Sequence, residues 1–522
     1  MRNTDLTRDF SERSEKGSAG TEEYMKHCNM KLFVLMMLFL LCGCASKPKI
    51  FTDKDKTFEG LNPADQEEAY EYKYFFQPQP YGPMTGYVGD PMPYFEDGTY
   101  YIYYLKEGAG SFNHSIYLTT TTDFLTYKEY EDPILEANYE GGQDGWIGTG
   151  SVVKVGNDYY FFYTAHASGG NFEYKEKIMA AKGSSLTAFE KIEGWELIPP
   201  EIIGQKNDFR DPQAYYDADT DSIILTVTAA QNGVARIQKF TLSSDLSDAD
   251  YDGIILTDPT GDFWNLECSD TFCMNGHCYL TYSGQDDTLW YAVSDDRYGP
   301  YSDPVRIDDK LFYAAKHVEN ADKVYMVGWA RRSESMLSTG PLTGWAGNLV
   351  VQQVGQSPDG SLWLEAPKAI LDSFSVKRPL LTKKDSVTVE AKDTRVYTEA
   401  FTAYERFLLN GKFSFTGTGK FGLAFDFGKT QEDYKLISLD PESGKLELSF
   451  NEGTTMITET AAALEPGTTY SFTYLQEGSV GVFYLDGEAS LTVRLYGVSG
   501  KPIRLFAENN SVSFTELSEK TN

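Results

Sequence analysis

The sequence predicts an all-β chain: a five-bladed β-propeller followed by a C-terminal antiparallel β-sandwich. Three observations predict it. Five β-hairpin units recur along the middle of the chain, each with its own turn. Past Leu371 the strands become shorter, more polar and alternate with period two. Neither half carries the 3.6-residue apolar period of an amphipathic helix. Aromatic residues form 14% of the 522, with 36 Tyr and 32 Phe against 7 Trp, a composition suited to pleated, half-buried strands.

In chain order, residues 1–44 read as an N-terminal extension and export signal. Leu32–Leu41, LFVLMMLFLL, is too short to span a bilayer and has the length of the apolar core of a secretory signal. Lys26 and Lys31 supply its positive flank. Leu41-Cys42-Gly43-Cys44 resembles a bacterial lipobox, which implies cleavage before Cys44, a lipid on its sulfur and an extracytoplasmic location on the bacterial cell membrane. The charged stretch TRDFSERSEKGSAGTEEY ahead of it is foreign to such signals, so Met25 or Met30 is a candidate start. Residues 45–74 are a polar, Pro-containing tether.

Residues 75–371 carry the propeller. The second strands of its hairpins begin at Tyr100, Tyr159, Ser222, Cys278 and Lys323, after the turns EDG, GND, DADTD, MNG and ENAD, all tolerant of positive φ. Further β-rich stretches between them bring each unit to about four strands, as in a propeller blade. Residues 372–522 read as the sandwich, with strands such as KFSFTGTG, FGLAFDFG, TYSFTYL and VGVFYLDG. It has no clear aromatic stripe for polysaccharide and reads as a brace for the propeller.

Three units open on a carboxylate: GDPMPYFEDG with Asp90, RDPQAYYDAD with Asp211 and ECSDTFCMNG with Glu267. The sequence places these acids at one position of three blades, so that they converge on the axis. Converging acids in a sugar-sized pocket are what cleavage of a glycosidic bond needs. The net charge of −31 argues against nucleic acid and anionic membrane surfaces as partners, and a neutral polysaccharide is indifferent to it. Cys268, Cys273 and Cys278 with His277 lack zinc spacing, so no metal is expected. Cys273 and Cys278 face each other across the Asn275-Gly276 turn and are either a disulfide or two buried thiols. Ala109-Gly110 and Gly169-Gly170 do not run into helices, which excludes a phosphate cradle, and no cofactor is expected. His114 and His166 read as polar strand residues at the pocket rim.

At these residues the chain resembles glycoside hydrolase family 32, the invertase, inulinase and levanase family. Asp208-Phe209-Arg210-Asp211-Pro212 matches its Arg-Asp-Pro motif and Glu267-Cys268 its Glu-Cys motif. Gly89-Asp90-Pro91 stands where the family has Asn-Asp-Pro-Asn-Gly. Phe112-Asn113-His114-Ser115 with Asp123-Phe124-Leu125, Gly148–Val153 and Trp345–Leu349 resemble further family segments in the right order. The departures are Gly89, Met92-Pro93, Tyr103-Tyr104-Leu105 and Gly148, which has Trp146 nearby.

The resemblance implies a retaining hydrolase of β-fructofuranosyl linkages in fructans or sucrose-type oligosaccharides. Asp90 would be the nucleophile. Glu267 would be the acid and then the base. Asp211, held by Arg210 or a neighbour, would steady the transition state. Glu267 then needs a raised pKa and Asp90 an ordinary one. Trp146, Trp329 and Tyr313 are candidates for an apolar platform under the sugar, and Thr149 and Arg210 complete the substrate-binding set. The departures keep open a fructosyltransferase acting on levan or inulin. Other readings are an inverting arabinofuranosidase or xylosidase of similar fold, and a sugar-binding lipoprotein without catalysis.

Overall fold

The computed structural model describes residues 71–79, 86–107, 114–201, 207–321, 323–333, 342, 344–425, 430 and 433–522. The apolar run, the lipobox with Cys44, most of the tether, and Phe112 and Asn113 lie outside the described residues. All described residues belong to one compact unit.

The second strands fall within a residue or so of the places the turns dictate: Thr99–Glu107, Asp158–Ser168, Ser222–Gln231, His277–Ser283 and Lys323–Arg332. Each is the second strand of a four-stranded antiparallel meander, and the meanders are blades I to V. The inner strands are Tyr87–Glu96, Gly142–Val155, Arg210–Asp217, Glu267–Met274 and Phe312–Asn320. Each inner strand touches the next, and the last touches the first, so the blades close a ring. Blade V also pairs with blade I through Val88 and Gly347. The faces between blades are apolar. Tyr103, Leu118, Phe161 and Ala181 fill one, and Phe162, Ile178, Ile223 and Leu225 the next. The Asn275-Gly276 hairpin of blade IV carries a disulfide between Cys273 and Cys278, which resolves the alternative left open above.

All five inner strands bulge at the same step. The register slips by one residue across Gly89–Met92, Ile147–Gly150, Arg210–Gln213, Glu267–Asp270 and Tyr313–Lys316. The second residue of four of these steps is left-handed: Asp90 (φ 37°), Asp211 (φ 57°), Cys268 (φ 53°) and Ala314 (φ 53°). A bulge sets two residues against one and re-aims their side chains. It also corrects the expected equivalence of the acids. Asp90 and Asp211 share the second position, which Cys268 occupies in blade IV. Glu267 stands one residue earlier, level with Arg210, Tyr313 and Gly89.

A six-residue helix, Lys368–Ser373, leads from blade V to the sandwich, and the joint expected after Leu371 falls inside it. One sheet of the sandwich is centred on Asn510–Thr521, Arg406–Phe415 and Tyr470–Glu477, the other on Pro502–Ala507, Phe421–Phe425 and Lys435–Asp440. Their alternating inner faces meet in a core of Phe407, Leu409, Phe413, Phe472 and Phe483 against Phe421, Leu423, Ile437, Leu439 and Leu505.

Buried charge joins the sandwich to blade V. Arg494, fully buried, donates to Ala330 O and Asn348 Oδ1 at 2.9 Å each. Asp308 accepts from Thr492 N (2.9 Å), Thr492 Oγ1 (2.8 Å) and Gln352 Nε2 (3.0 Å). Tyr72 and Tyr74, in the stretch assigned to the tether, are buried, and Glu477 accepts from the N–H groups of Lys73, Tyr74 and Phe75. Residues 72–75 are thus wedged against the sandwich.

Candidate active site

The bulges stack the axial side chains in rings. Arg210, Glu267 and Tyr313 form the first. Tyr313 OH donates to Glu267 Oε2 at 2.7 Å, and Arg210 Nε lies 4.0 Å from Glu267 Oε1. Asp90, Asp211 and Cys268 form the second. Asp90 Oδ2 accepts from Thr149 Oγ1 (2.9 Å) and Oδ1 from Trp329 Nε1 (3.2 Å). Asp211 Oδ2 accepts from Cys268 N at 2.7 Å, and Asp211 N donates to Thr164 Oγ1 at 2.8 Å. Thr149 Oγ1 and Cys268 Sγ, 3.7 Å apart, close the gap between the two carboxylates. One ring further along, the buried Lys316 ammonium donates to Gly150 O (3.0 Å) and Gln213 Oε1 (3.2 Å), tying blades V, II and III at the axis.

The acids share one electrostatic environment. Burial pushes the Glu267 carboxyl up to about 7, against the pull of Arg210, with Asp211 and Asp90 adding to the rise. Burial also raises Asp90, and Asp211 adds to it, while the donors Trp329 and Thr149 and the nearby His114 pull it down. An ordinary value for Asp90 was expected. Its place between the blades takes away part of the water that would have kept it so. Burial raises the Cys268 thiol well above its usual value, so it is a neutral neighbour of the acids.

The other expected residues sort differently than a simple platform would require. Trp329 is fully buried and Tyr313 is 6% exposed, so both act here as donors to the acids and neither presents an open face. Trp146, three residues before Thr149, is 40% exposed and pairs across its hairpin with His166. Arg210 does not hold Asp211 by a hydrogen bond. Its guanidinium is engaged by Glu176 (2.6 Å) and Asp208 (3.2 Å), and Asp211 is held by the Cys268 amide instead.

The sequence reading missed Glu176, Thr164 and Lys316, which no local pattern marks. Two of the departures from the family pattern, Gly89 and Gly148, have a steric neighbour that excludes a side chain. A Cβ at Gly89 would lie 2.2 Å from Trp345 Cη2, and this indole stacks on His114 at 4.5 Å. A Cβ at Gly148 would lie 2.5 Å from His166 Nε2. Trp345 and His166 therefore fill the space beside these two glycines.

Residues 80–354 match the description "Glycosyl hydrolases family 32 N-terminal domain". A curated relative, sucrose-6-phosphate hydrolase of Escherichia coli, is 26% identical over 209 residues, which are 39% of this chain and 42% of the relative. The match thus spans less than half the length of that relative. Among solved structures, sucrose-6-phosphate hydrolase from Lactobacillus gasseri superposes with a TM-score of 0.68 at 15% identity, covering 90% of this chain and 99% of the other. Fructan 1-exohydrolase IIa from Cichorium intybus gives 0.67 at 16% identity over 86% and 96%. At such identities the structural likeness speaks for the fold. The sequence match covers more than half the chain and contains all three axial acids, and on that ground the chain belongs to glycoside hydrolase family 32, a family of β-fructofuranosidase-like glycosidases.

Proposed function

We propose that this chain is a retaining β-fructofuranosidase, held on the outer face of the bacterial cell membrane by a lipid on Cys44, that cleaves fructans or sucrose-type oligosaccharides. The observation that carries the chemistry is the pairing of Glu267, raised to about 7, with an Asp90 carboxylate whose two oxygens each accept a hydrogen bond. A carboxyl near 7 is protonated often enough to act as an acid and is deprotonated easily enough to act as a base. Asp90 attacks the anomeric carbon of the fructofuranosyl unit. The bond to the leaving oxygen breaks, and Glu267 delivers its proton there. Water then gives a proton to Glu267 and displaces the Asp90 ester. Asp211, fixed by the Cys268 amide, accepts hydrogen bonds from the sugar hydroxyls as positive charge develops on the ring. Thr149 and Trp329 hold Asp90 in its line of attack and stabilise it as an anion before and after the ester forms.

One experiment tests both halves of the proposal. Membrane and soluble fractions from cells making the full chain, wild type or Cys44→Ala, are incubated with sucrose, inulin, levan and an aryl arabinofuranoside. The anomer first released is read by NMR. Fructose should appear first as the β-anomer from the wild-type membrane fraction, and the activity should move to the soluble fraction in the variant. Release of arabinose alone, or of the inverted anomer, removes the assignment of chemistry. Products longer than the substrate replace hydrolysis by transfer. Activity that stays with the membrane in Cys44→Ala removes the anchor.

A further inference from the structure

The sandwich holds a polar cavity of about 280 Å³, lined by sandwich residues alone. Strands Lys435–Asp440 and Lys445–Phe450 form its floor. Their Ile437, Leu439, Leu446 and Leu448 turn into the core, so Leu436, Ser438, Asp440, Glu447 and Ser449 share the opposite face. The register sets Ser438 across from Glu447, and Leu436 across from Ser449. A sheet face turned away from the core is commonly solvated. Here Ser438 is only 1% exposed and Ser449 2%, and both line the cavity. Arg395, Glu508, Lys420 and Asp440 wall it.

Three features fix what the cavity can hold. Its charges are already matched. Arg395 Nη2 lies 2.6 Å from Glu508 Oε2, and Lys420 Nζ lies 2.5 Å from Glu447 Oε2 and 3.5 Å from Asp440 Oδ2. A charged ligand meets groups whose counter-ions are in place, and no three acids, His or Cys among the described residues stand together as a metal site. Hydrogen-bonding capacity, in contrast, is left over. The Ser438 and Ser449 hydroxyls make no hydrogen bond to the described residues. Both bonds that Glu508 accepts from Arg395 fall on Oε2, which leaves Oε1 to accept another. A hydroxyl taken out of water without a partner is costly, and a ligand O–H, which both donates and accepts, answers each of these groups. Lastly, no aromatic ring lines the cavity, so a flat apolar ligand has nothing to stack on. The volume falls just below the range of about 300–1,000 Å³ usual for small-molecule sites, which suits one ring and not a chain. We propose that this cavity is a second ligand site of the chain, taking one neutral sugar ring through its hydroxyls. The site is separate from the acids of the propeller and gives the sandwich a binding role beside that of a brace.

The full chain is titrated with D-fructose, D-glucose, D-galactose and D-glucuronate, and binding is followed by saturation transfer from protein to sugar in NMR. Wild type is compared with Ser438→Ile, which fills the floor, and Glu508→Gln, which keeps the volume and removes a charged acceptor. At least one neutral sugar should bind wild type and weaken about fivefold or more in both variants. Glucuronate should bind less tightly than glucose. Sucrose hydrolysis by both variants should stay within about twofold of wild type, because neither residue touches the acids. Should Ser438→Ile lose hydrolysis as well as binding, its fold is damaged and Glu508→Gln alone decides. Neutral-sugar binding that is unchanged in both variants belongs to the propeller and overturns the assignment. Absence of binding by all three neutral sugars overturns it too, and tighter binding of glucuronate than of glucose shows an anion site instead. A wild type that binds the sugar through Ser438 and Glu508 but leaves sucrose intact overturns the reaction proposed above and leaves this site standing.

Discussion

Replacing Glu267 by Gln should make the protein both inactive and more stable, and the gain should depend on pH. In the folded chain burial raises the Glu267 carboxyl from its ordinary 4.5 to about 7. In the unfolded chain it titrates near its ordinary value. The folded state therefore binds the proton more tightly. Stability associated with this group is fully present below pH 4.5 and is lost as pH rises through 7. A rise from 4.5 to about 7, at about 1.36 kcal/mol per tenfold change in proton affinity, amounts to ~3 kcal/mol at pH 8 and under ~1 kcal/mol at pH 5. Gln has nearly the same shape, carries no charge at either pH, and leaves an oxygen to accept from Tyr313 OH. Denaturant unfolding of wild type and Glu267→Gln at pH 5 and pH 8 should show a gain of up to ~3 kcal/mol at pH 8 that shrinks toward zero at pH 5. Turnover of inulin should fall about 100-fold or more, the usual worth of a positioned acid. An ordinary surface glutamate would give neither result. A Glu267→Gln protein less stable than wild type at pH 8, or equally stabilised at both pH values, would refute the claim that burial holds this carboxyl protonated.

Two further outcomes follow from the contacts of the acids. Tyr313 OH donates to the ionised form of Glu267, so Tyr313→Phe should raise the Glu267 pKa and move the alkaline fall of kcat/KM upward by about one pH unit. A limb that stays in place, or moves down, shows that this hydrogen bond does not set the acid. Gly89→Ala puts a methyl where Trp345 Cη2 lies 2.2 Å from the ideal Cβ, and should destabilise the fold by ~1–3 kcal/mol. Combined with Trp345→Ala, that cost should largely disappear, and a strictly additive double mutant would show that the indole is not what excludes a side chain at residue 89.

The five hairpins were legible because their signals are local. A turn such as Asn275-Gly276 between β-branched and aromatic runs specifies its own strands. Three strands of one sandwich sheet were harder to read. Val396–Thr402, Thr455–Ala461 and Pro502–Ala507 were passed over because they are short, mix polar and apolar residues, or begin on Pro. The acids stood out through Asp-Pro and Glu-Cys pairs at the starts of strands, and the structure brings Asp90, Asp211 and Glu267 together at the axis of the ring.

The sequence by itself determined the strand periodicity, the turns, the recurrence of one unit and the identity of the three acids, since all of these are written in neighbouring residues. Only the tertiary structure decided that Glu267 lies in a different ring from Asp90 and Asp211, because a bulge adds one residue to a strand and leaves no trace in composition. It also decided that Asp211 is held by a backbone amide of the next blade, and that Trp329 and Tyr313 offer their polar edges to the acids. Those partners come from strands up to 239 residues apart in the chain, and only closure of the ring sets them within hydrogen-bond distance.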